Sequence, residues 1–385
     1  MHSLEQFAAG KLGELDRAGL HRVLAETTRL DGISAVRNGR RLLSFCCNDY
    51  LNLSHHPAVK EAAIAAVARH GVGSGASRLV TGNHPLFAEL EARLARFKGT
   101  AGATVFGSGY LANSGIIPAL IGADDLVLID ELAHACLWAG ARLSRAKVLP
   151  FRHSEVAHVQ SLLAEHRSRH PRTLVATDGV FSMDGDLAPL PQLANLAEQF
   201  DAWLMTDDAH GLGVVGEGGR GSRFAFAEKF EVPLQMGTLS KAIGGYGGYL
   251  CASAAVTDLI RNRARTFVYS TGLPPATVAA AIAALDVIER EPAYAALPLQ
   301  KARLFTRSAG LPEASSPIVP LVLGKAEAAL EAARLMENEG FLVIAIRPPT
   351  VPAGTARLRF TFTARHPDDE IKRLAGIVRS RIRKA

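Results

Sequence analysis

Cysteine is scarce, with four among 385 residues, at positions 46, 47, 136 and 251. Two are adjacent and none forms a C-x-x-C pair, which excludes a disulfide framework and a zinc ribbon and makes a reducing compartment the default. No apolar stretch is long enough to span a bilayer. The first twenty residues mix charge with apolar side chains at helical spacing instead of forming the apolar centre of a secretion signal. A cytoplasmic protein with no membrane partner is therefore expected. Blocks of like charge are also missing, apart from Arg379, Arg381, Arg383 and Lys384 at the C-terminus. That tail reads as a solvated helix end, and no nucleic-acid partner is expected. There is no internal repeat and no low-complexity tract.

What is present is the balance of a globular chain, with 48% hydrophobic and 21% charged residues. The formal charge of +6 suits anionic ligands such as phosphates and thioester carriers. An amphipathic helix is predicted from residue 4 to about 26, followed by a short polar stretch and a strand at 42–45, making an N-terminal helix and arm over 1–50. From residue 57 onward, helical patterns alternate with β-rich runs at 103–106, 126–129, 147–151, 173–177, 203–206, 234–236 and 249–252. Several runs are apolar throughout, as strands covered by helices on both faces must be. The expectation is an α/β fold, with one large mainly parallel-sheet domain over 51–288 whose ligands gather beyond the carboxyl ends of its strands. Past residue 289 the pattern changes to a strand at 317–323, a helix at 326–339, strands at 342–346 and 357–363, and a helix at 368–383. This predicts a smaller C-terminal α+β domain over 289–385.

Lys241 stands in Gly237-Thr238-Leu239-Ser240-Lys241-Ala242-Ile243-Gly244-Gly245, just past a predicted strand and among small residues that let a planar ligand approach the backbone. A surface lysine beside a glycine hinge would look the same. About thirty residues earlier, the apolar run 203–206 ends in Asp207-Asp208-Ala209-His210. A carboxylate at the end of a buried strand can keep a ring nitrogen protonated, and a protonated pyridine beside a Schiff-base lysine is the electron sink that carbanion chemistry on an amino acid needs. A helix cap at Asp207 and a satisfied core histidine at 210 are the plain alternatives. A metal reading of Asp207, Asp208 and His210 finds no second cluster to complete a shell.

Phe106-Gly107-Ser108-Gly109-Tyr110 runs from a strand through a small-residue turn into a helix, where backbone amides bind phosphate. The same segment fits G-x-G-x-x-A, with Asp130 about twenty residues on, so an NAD-dependent oxidoreductase using Gly107, Gly109 and Asp130 is a rival. His134 could stack on an aromatic cofactor or be a polar helix residue. Asp178, Ser182 and Asp184 could be turn chemistry alone.

Taken together, Asn48-Asp49-Tyr50-Leu51-Asn52-Leu53-Ser54, Gly73-Ser74-Gly75-Ala76-Ser77-Arg78, the segment 177–186, Asp207-Asp208-Ala209-His210-Gly211, the segment 238–245 and Tyr269-Ser270-Thr271 resemble the α-oxoamine synthases, a family of fold-type I pyridoxal-phosphate transferases. The segments follow family order across nearly the whole chain. One departure is Asn52, where the family often has glycine. The resemblance implies pyridoxal 5'-phosphate as cofactor, tethered as a Schiff base to Lys241. It also implies Asp207 at the pyridine nitrogen, His210 and Ser182 near the phenolic oxygen, and His134 stacked on the ring. Phosphate contacts would come from Ser108, Gly109, Tyr110 and Thr238, with Ser270 and Thr271 reaching in from the other subunit of a homodimer. Segment 347–359 further resembles the biotin-pathway branch, an acyltransferase that joins L-alanine to pimeloyl-CoA or pimeloyl-ACP. On this view Lys241 is also the general base and His134 a proton donor to the thioester carbonyl. Arg359 and Asn48 hold the alanine carboxylate. Arg22 and Arg347 are further candidates for carboxylate or acyl-chain recognition, with a surface salt bridge as the plain alternative for each. Other branches use glycine or serine.

Overall fold

The computed structural model describes residues 2–382, so Arg383 and Lys384 of the basic tail lie outside the described residues. The N-terminal part holds α1 (His2–Arg17), β1 (Thr27–Arg29), β2 (Ser34–Arg37) and β3 (Arg40–Ser44). Next come α2 (Pro57–His70), α3 (Pro85–Lys98), β4 (Gly102–Phe106), α4 (Gly109–Leu120), β5 (Leu126–Asp130), α5 (Ala135–Ser144), β6 (Lys147–Phe151), α6 (Val156–His166), β7 (Thr173–Asp178), α7 (Leu190–Gln199), β8 (Trp203–Asp207), β9 (Leu234–Thr238) and β10 (Gly248–Ala252). Helices α8 (Ala254–Arg263), α9 (Arg265–Val268), α10 (Pro275–Arg290) and α11 (Pro292–Ala309) follow. The chain closes with β11 (Ile318–Gly324), α12 (Ala326–Asn338), β12 (Phe341–Leu342), β13 (Ile344–Ile346), β14 (Ala356–Thr361) and α13 (Asp368–Ile377).

All seven β-rich runs are strands of one sheet, ordered β4-β10-β9-β8-β7-β5-β6. Strands β6, β5, β7, β8 and β9 run parallel, and β10 is antiparallel to both β9 and β4. Side chains alternate across the sheet, as strand geometry requires. In β5, Val127 and Ile129 join Ile116, Ile117 and Leu137 on one face, while Leu126 and Leu128 join Val159, Leu163 and Leu193 on the other. Each of these side chains is 1% exposed or less, and at about 1.5–3 kcal/mol per fully buried aliphatic side chain the two faces account for the continuous apolar character of the run.

The chain forms two compact units, one of residues up to Cys46 with Pro320–Phe360, the other of Cys47–Val319 with residues from Thr361 onward. The first unit carries the sheet β1-β2-β3-β12, in which β12 runs parallel to β3, and an antiparallel pairing of β13 with β14. Residues 289–319 and 361–382, which the sequence pattern groups with the C-terminal part, fall in the second unit. The opening helix ends at Arg17, well short of residue 26. Gly19 takes φ 63° and the Leu20 amide closes back on the Leu15 carbonyl at 2.8 Å, a left-handed stop after which the helix cannot continue. The final helix gives way to a wider π-type turn at Val378–Ile382.

Candidate active site

Three parallel strands end side by side. Asp178 closes β7 opposite Asp207 at the end of β8, and Asp207 lies opposite Met236 of β9, two residues before Thr238. Asp207 shares the face of Met205 by the two-residue period, so its carboxylate meets side chains of α4 and α5. Asn113 Nδ2 of α4 donates to Asp207 Oδ2 at 2.7 Å, the Ala209 amide donates to Oδ1 at 2.9 Å, and the Cys136 thiol lies 3.7 Å from Oδ2. Asp208 is held elsewhere, in a buried ion pair with Lys98 at 2.7 Å.

Past β9 the chain makes a tight turn before β10. The Leu239 amide reaches the Gly247 carbonyl, and the Gly244 amide reaches that of Lys241 at 2.8 Å. Gly244 has φ 73°, and a Cβ there would come within 2.3 Å of the Ser54 backbone nitrogen, so the turn requires glycine. It presents the Lys241 amine 2.7 Å from His210 Nε2, and His210 Nδ1 in turn lies 2.7 Å from the hydroxyl of the wholly buried Tyr50.

At the start of α4, Ser108 accepts the Leu111 amide at 3.1 Å and caps the helix. Gly109 and Tyr110 of this helix start line the cavity, where the helix dipole adds partial positive charge. His134 caps α5 through its Nδ1, and its own amide donates to Asp178 Oδ1 at 3.1 Å. Burial is the main cause that pushes the His134 imidazole below its usual range, with Asp207 opposing the shift and Lys241 adding to it. Burial, and then the charge of Asp207, raise the Asp178 carboxyl well above the usual carboxylate range.

These elements enclose a cavity of about 200 Å³ lined by Ser108, Gly109, Tyr110, His134, Asp207, His210, Thr238 and Lys241, together with Cys136 and Asp178. Eight sequence-predicted residues thus share one cavity. Others do not. Ser182 is half-buried outside its lining. Ser270 and Thr271 line a separate small cleft beside Phe267 and Gly272. Asn48 accepts the Tyr50 hydroxyl at 3.3 Å. In the first unit, Arg22 donates to Thr350 at 3.2 Å, Arg347 donates to the Gly19 carbonyl at 2.9 Å, and Arg359 is buried on β14. Asn113, Cys136 and Tyr50 touch the predicted residues directly, and only Tyr50 stood in a recognised segment.

The dinucleotide reading of Gly107, Gly109 and Asp130 is corrected by topology. Strand β4 lies at the sheet edge with antiparallel β10 as its neighbour, so no parallel β4-α4-β5 unit forms. Asp130 is fully buried and taken up by His153 Nδ1 at 3.1 Å, the Ser154 amide at 2.9 Å and the Leu132 amide at 2.9 Å, leaving it no role on a ribose.

Residues 40–378 match the model of the aminotransferase class I and II family. The chain is 62% identical over 378 residues to an 8-amino-7-oxononanoate synthase of Beijerinckia indica subsp. indica, covering 98% of each chain. It is 67% identical over 344 residues to one of Methylocella silvestris, covering 89% of this chain and 98% of that one. Among solved structures, a serine palmitoyltransferase from S. paucimobilis with a bound PLP–myriocin aldimine superposes with a TM-score of 0.91 at 28% identity, over 99% of this chain and 98% of that one. An 8-amino-7-oxononanoate synthase from Francisella tularensis superposes with a TM-score of 0.76 at 27% identity, over 89% and 98%.

Proposed function

This chain belongs to the class I and II aminotransferase family and is a pyridoxal-phosphate enzyme, and on that premise we propose that it condenses L-alanine with a pimeloyl thioester, with loss of carbon dioxide, to give 8-amino-7-oxononanoate for biotin synthesis. The observation that carries the substrate assignment is the 62–67% identity to synthases of that name over nearly their full length.

The donor set of the cavity suits the cofactor. Its lining combines the start of α4 and Thr238, which would hold a phosphate, with a strand-end carboxylate at Asp207 for a ring nitrogen and the Lys241 amine for the aldehyde. When bound, the cofactor supplies a ring that draws off the charge left at Cα. Lys241 would tether the cofactor, and its free amine would take the Cα proton of alanine as general base. Asn113 and the Ala209 amide fix the Asp207 carboxylate, which would hold the ring nitrogen. A neutral His134 would lie against the ring face and could pass a proton to the thioester carbonyl. His210 would contact the phenolic oxygen, and the sequence resemblance assigns Ser182, which lies outside the cavity lining, to the same oxygen. Arg359 and Asn48 bind the alanine carboxylate, and Arg22 and Arg347 act in carboxylate or acyl-chain recognition. These four assignments rest on the sequence alone. Ser270 and Thr271 serve the phosphate of a second copy in a homodimer, which agrees with their place outside this chain's own cavity.

The likeness to serine palmitoyltransferases favours a second reading, in which serine is the amino acid. Cofactor-loaded protein is assayed with pimeloyl-CoA against alanine, glycine and serine, following the released thiol. Alanine is expected to give the highest kcat/KM by roughly tenfold or more, about 1.4 kcal/mol in the transition state, and Lys241→Ala to lose turnover with all three. Preference for serine or glycine would move the enzyme to the neighbouring branch.

A further inference from the structure

Asp207 and Asp208 are neighbours in the chain, and the alternation of β8 sends their side chains to opposite faces of the sheet. The Asp207 carboxylate meets Asn113 of α4 at 2.7 Å, whereas that of Asp208 meets Lys98, the last residue of α3, at 2.7 Å. Lys98 and Asp208 are each 1% exposed. Lys98 also donates to the Arg220 carbonyl at 2.6 Å and lies 5.7 Å from the ring centre of Phe224, and the Ser222 amide donates to Asp208 Oδ1 at 3.0 Å. Glycine makes the space for this pair. A Cβ at Gly211 would come within 2.0 Å of Asp208 Oδ1, and one at Gly221 within 1.8 Å of Oδ2. Taking two charges out of water is costly, and apolar side chains of similar size often replace such a pair without loss of stability. What the pair adds is direction.

Helix α3 is itself anchored by Phe87, Leu90 and Leu94, each 1% exposed or less, so its last residue is a fixed point. Backbone bonds carry that fixity onward. The Asp208 amide donates to the Met236 carbonyl of β9 at 2.8 Å, and the Asp208 carbonyl accepts the Gly211 and Leu212 amides at 3.0 and 3.1 Å, which closes a turn. Ala209 lies inside that turn, and its amide is the one that donates to Asp207 Oδ1 at 2.9 Å. We propose that Lys98 and Asp208 are positioning residues, whose buried pair sets the turn after β8 before any cofactor binds and so aims the Ala209 amide at the Asp207 carboxylate. Neither residue lines the cavity. The inference rests on the assignment of Asp207 to the ring nitrogen and deepens it. Asn113 holds Oδ2 from α4 and the Ala209 amide holds Oδ1 from the turn, so the carboxylate is gripped at both oxygens and only the second grip depends on the pair.

Asp208→Asn keeps the shape of the side chain and an oxygen for the Ser222 amide, but removes the charge that Lys98 pairs with. Titration of the protein with pyridoxal phosphate, followed by absorbance, is expected to show binding weakened about tenfold by this substitution, and by less than about twofold when it is made in the Asp207→Ala background, where the group it acts through is gone. No loss, or an equal loss in both backgrounds such as a general loosening of the fold produces, overturns the proposal. A second measurement needs no variant. In the native chain without cofactor, the Asp208, Gly211 and Leu212 amides are expected to exchange with solvent deuterium at least roughly a hundredfold more slowly than in an unfolded chain. Protection that arises only once pyridoxal phosphate is added means that the cofactor sets the turn, and sinks the idea; if Asp208→Asn does not fold, this measurement decides alone. Should Asp207→Ala by itself leave cofactor affinity unchanged, the assignment of Asp207 fails, while exchange in the native chain still decides whether the turn is set in advance.

Discussion

At the scale of single residues, the cavity depends on polar side chains that no motif announced. Asp207 is a buried carboxylate whose Oδ2 accepts from Asn113, and a hydrogen bond to a charged group contributes about 1.5–3 kcal/mol. Asn113→Ala removes that donor and lets the carboxylate turn. Cofactor affinity is expected to fall roughly tenfold or more, a change of at least about 1.4 kcal/mol, measured by equilibrium titration of absorbance; unchanged affinity would mean that the Ala209 amide suffices. Cys136 adds little charge of its own, because burial, followed by the field of Asp207, raises its thiol far above the usual range and keeps it protonated. The family departure at Asn52 has a plain reason. That residue sits at φ 53°, in the left-handed region that asparagine tolerates better than most, and its Oδ1 accepts the Arg365 amide at 3.2 Å.

At the scale of elements, strand ends are tied together by side chains reaching across loops. His153, two residues past β6, meets Asp130 at the end of β5 at 3.1 Å and Asp186 at 2.9 Å, with its ring edge-on to Phe181. Burial works against its charge, yet the two carboxylates outweigh that and raise its pKa to about 10. The folded chain therefore holds this proton more tightly than the unfolded chain. The stabilisation is full below about pH 6.5 and is lost as pH rises through about 10. His153→Phe should flatten the fall of melting temperature between these limits, and an unaltered slope would show that the ring is not charged. The strands themselves were legible because continuous apolar runs have few other uses. The end of the first helix was less so, since Gly19 stops it while the amphipathic pattern carries on.

At the scale of the whole molecule, neither compact unit is continuous in sequence, because β12 pairs with β3 across nearly three hundred intervening positions. The cavity lacks Ser270 and Thr271 from its own chain, so the homodimer reading has a direct consequence. Sedimentation is expected to give about twice 40.9 kDa, and Thr271→Ala to weaken cofactor retention although it lines no part of its own chain's cavity. Retention unaffected by this substitution, or a monomer that keeps its cofactor, would end that reading.

The order of elements, the buried strands and the placing of Asp207 at a strand end and Lys241 in the turn after one were all determined by local pattern, since burial on two faces writes itself as continuous apolar runs and turns write themselves as glycine. Which strands are neighbours was not, and that decided the chemistry. Asn113 meets Asp207 across 94 positions and Tyr50 meets His210 across 160. A two-residue period tells which face a side chain takes, but only the sheet order and the helices laid over it decide what it finds there.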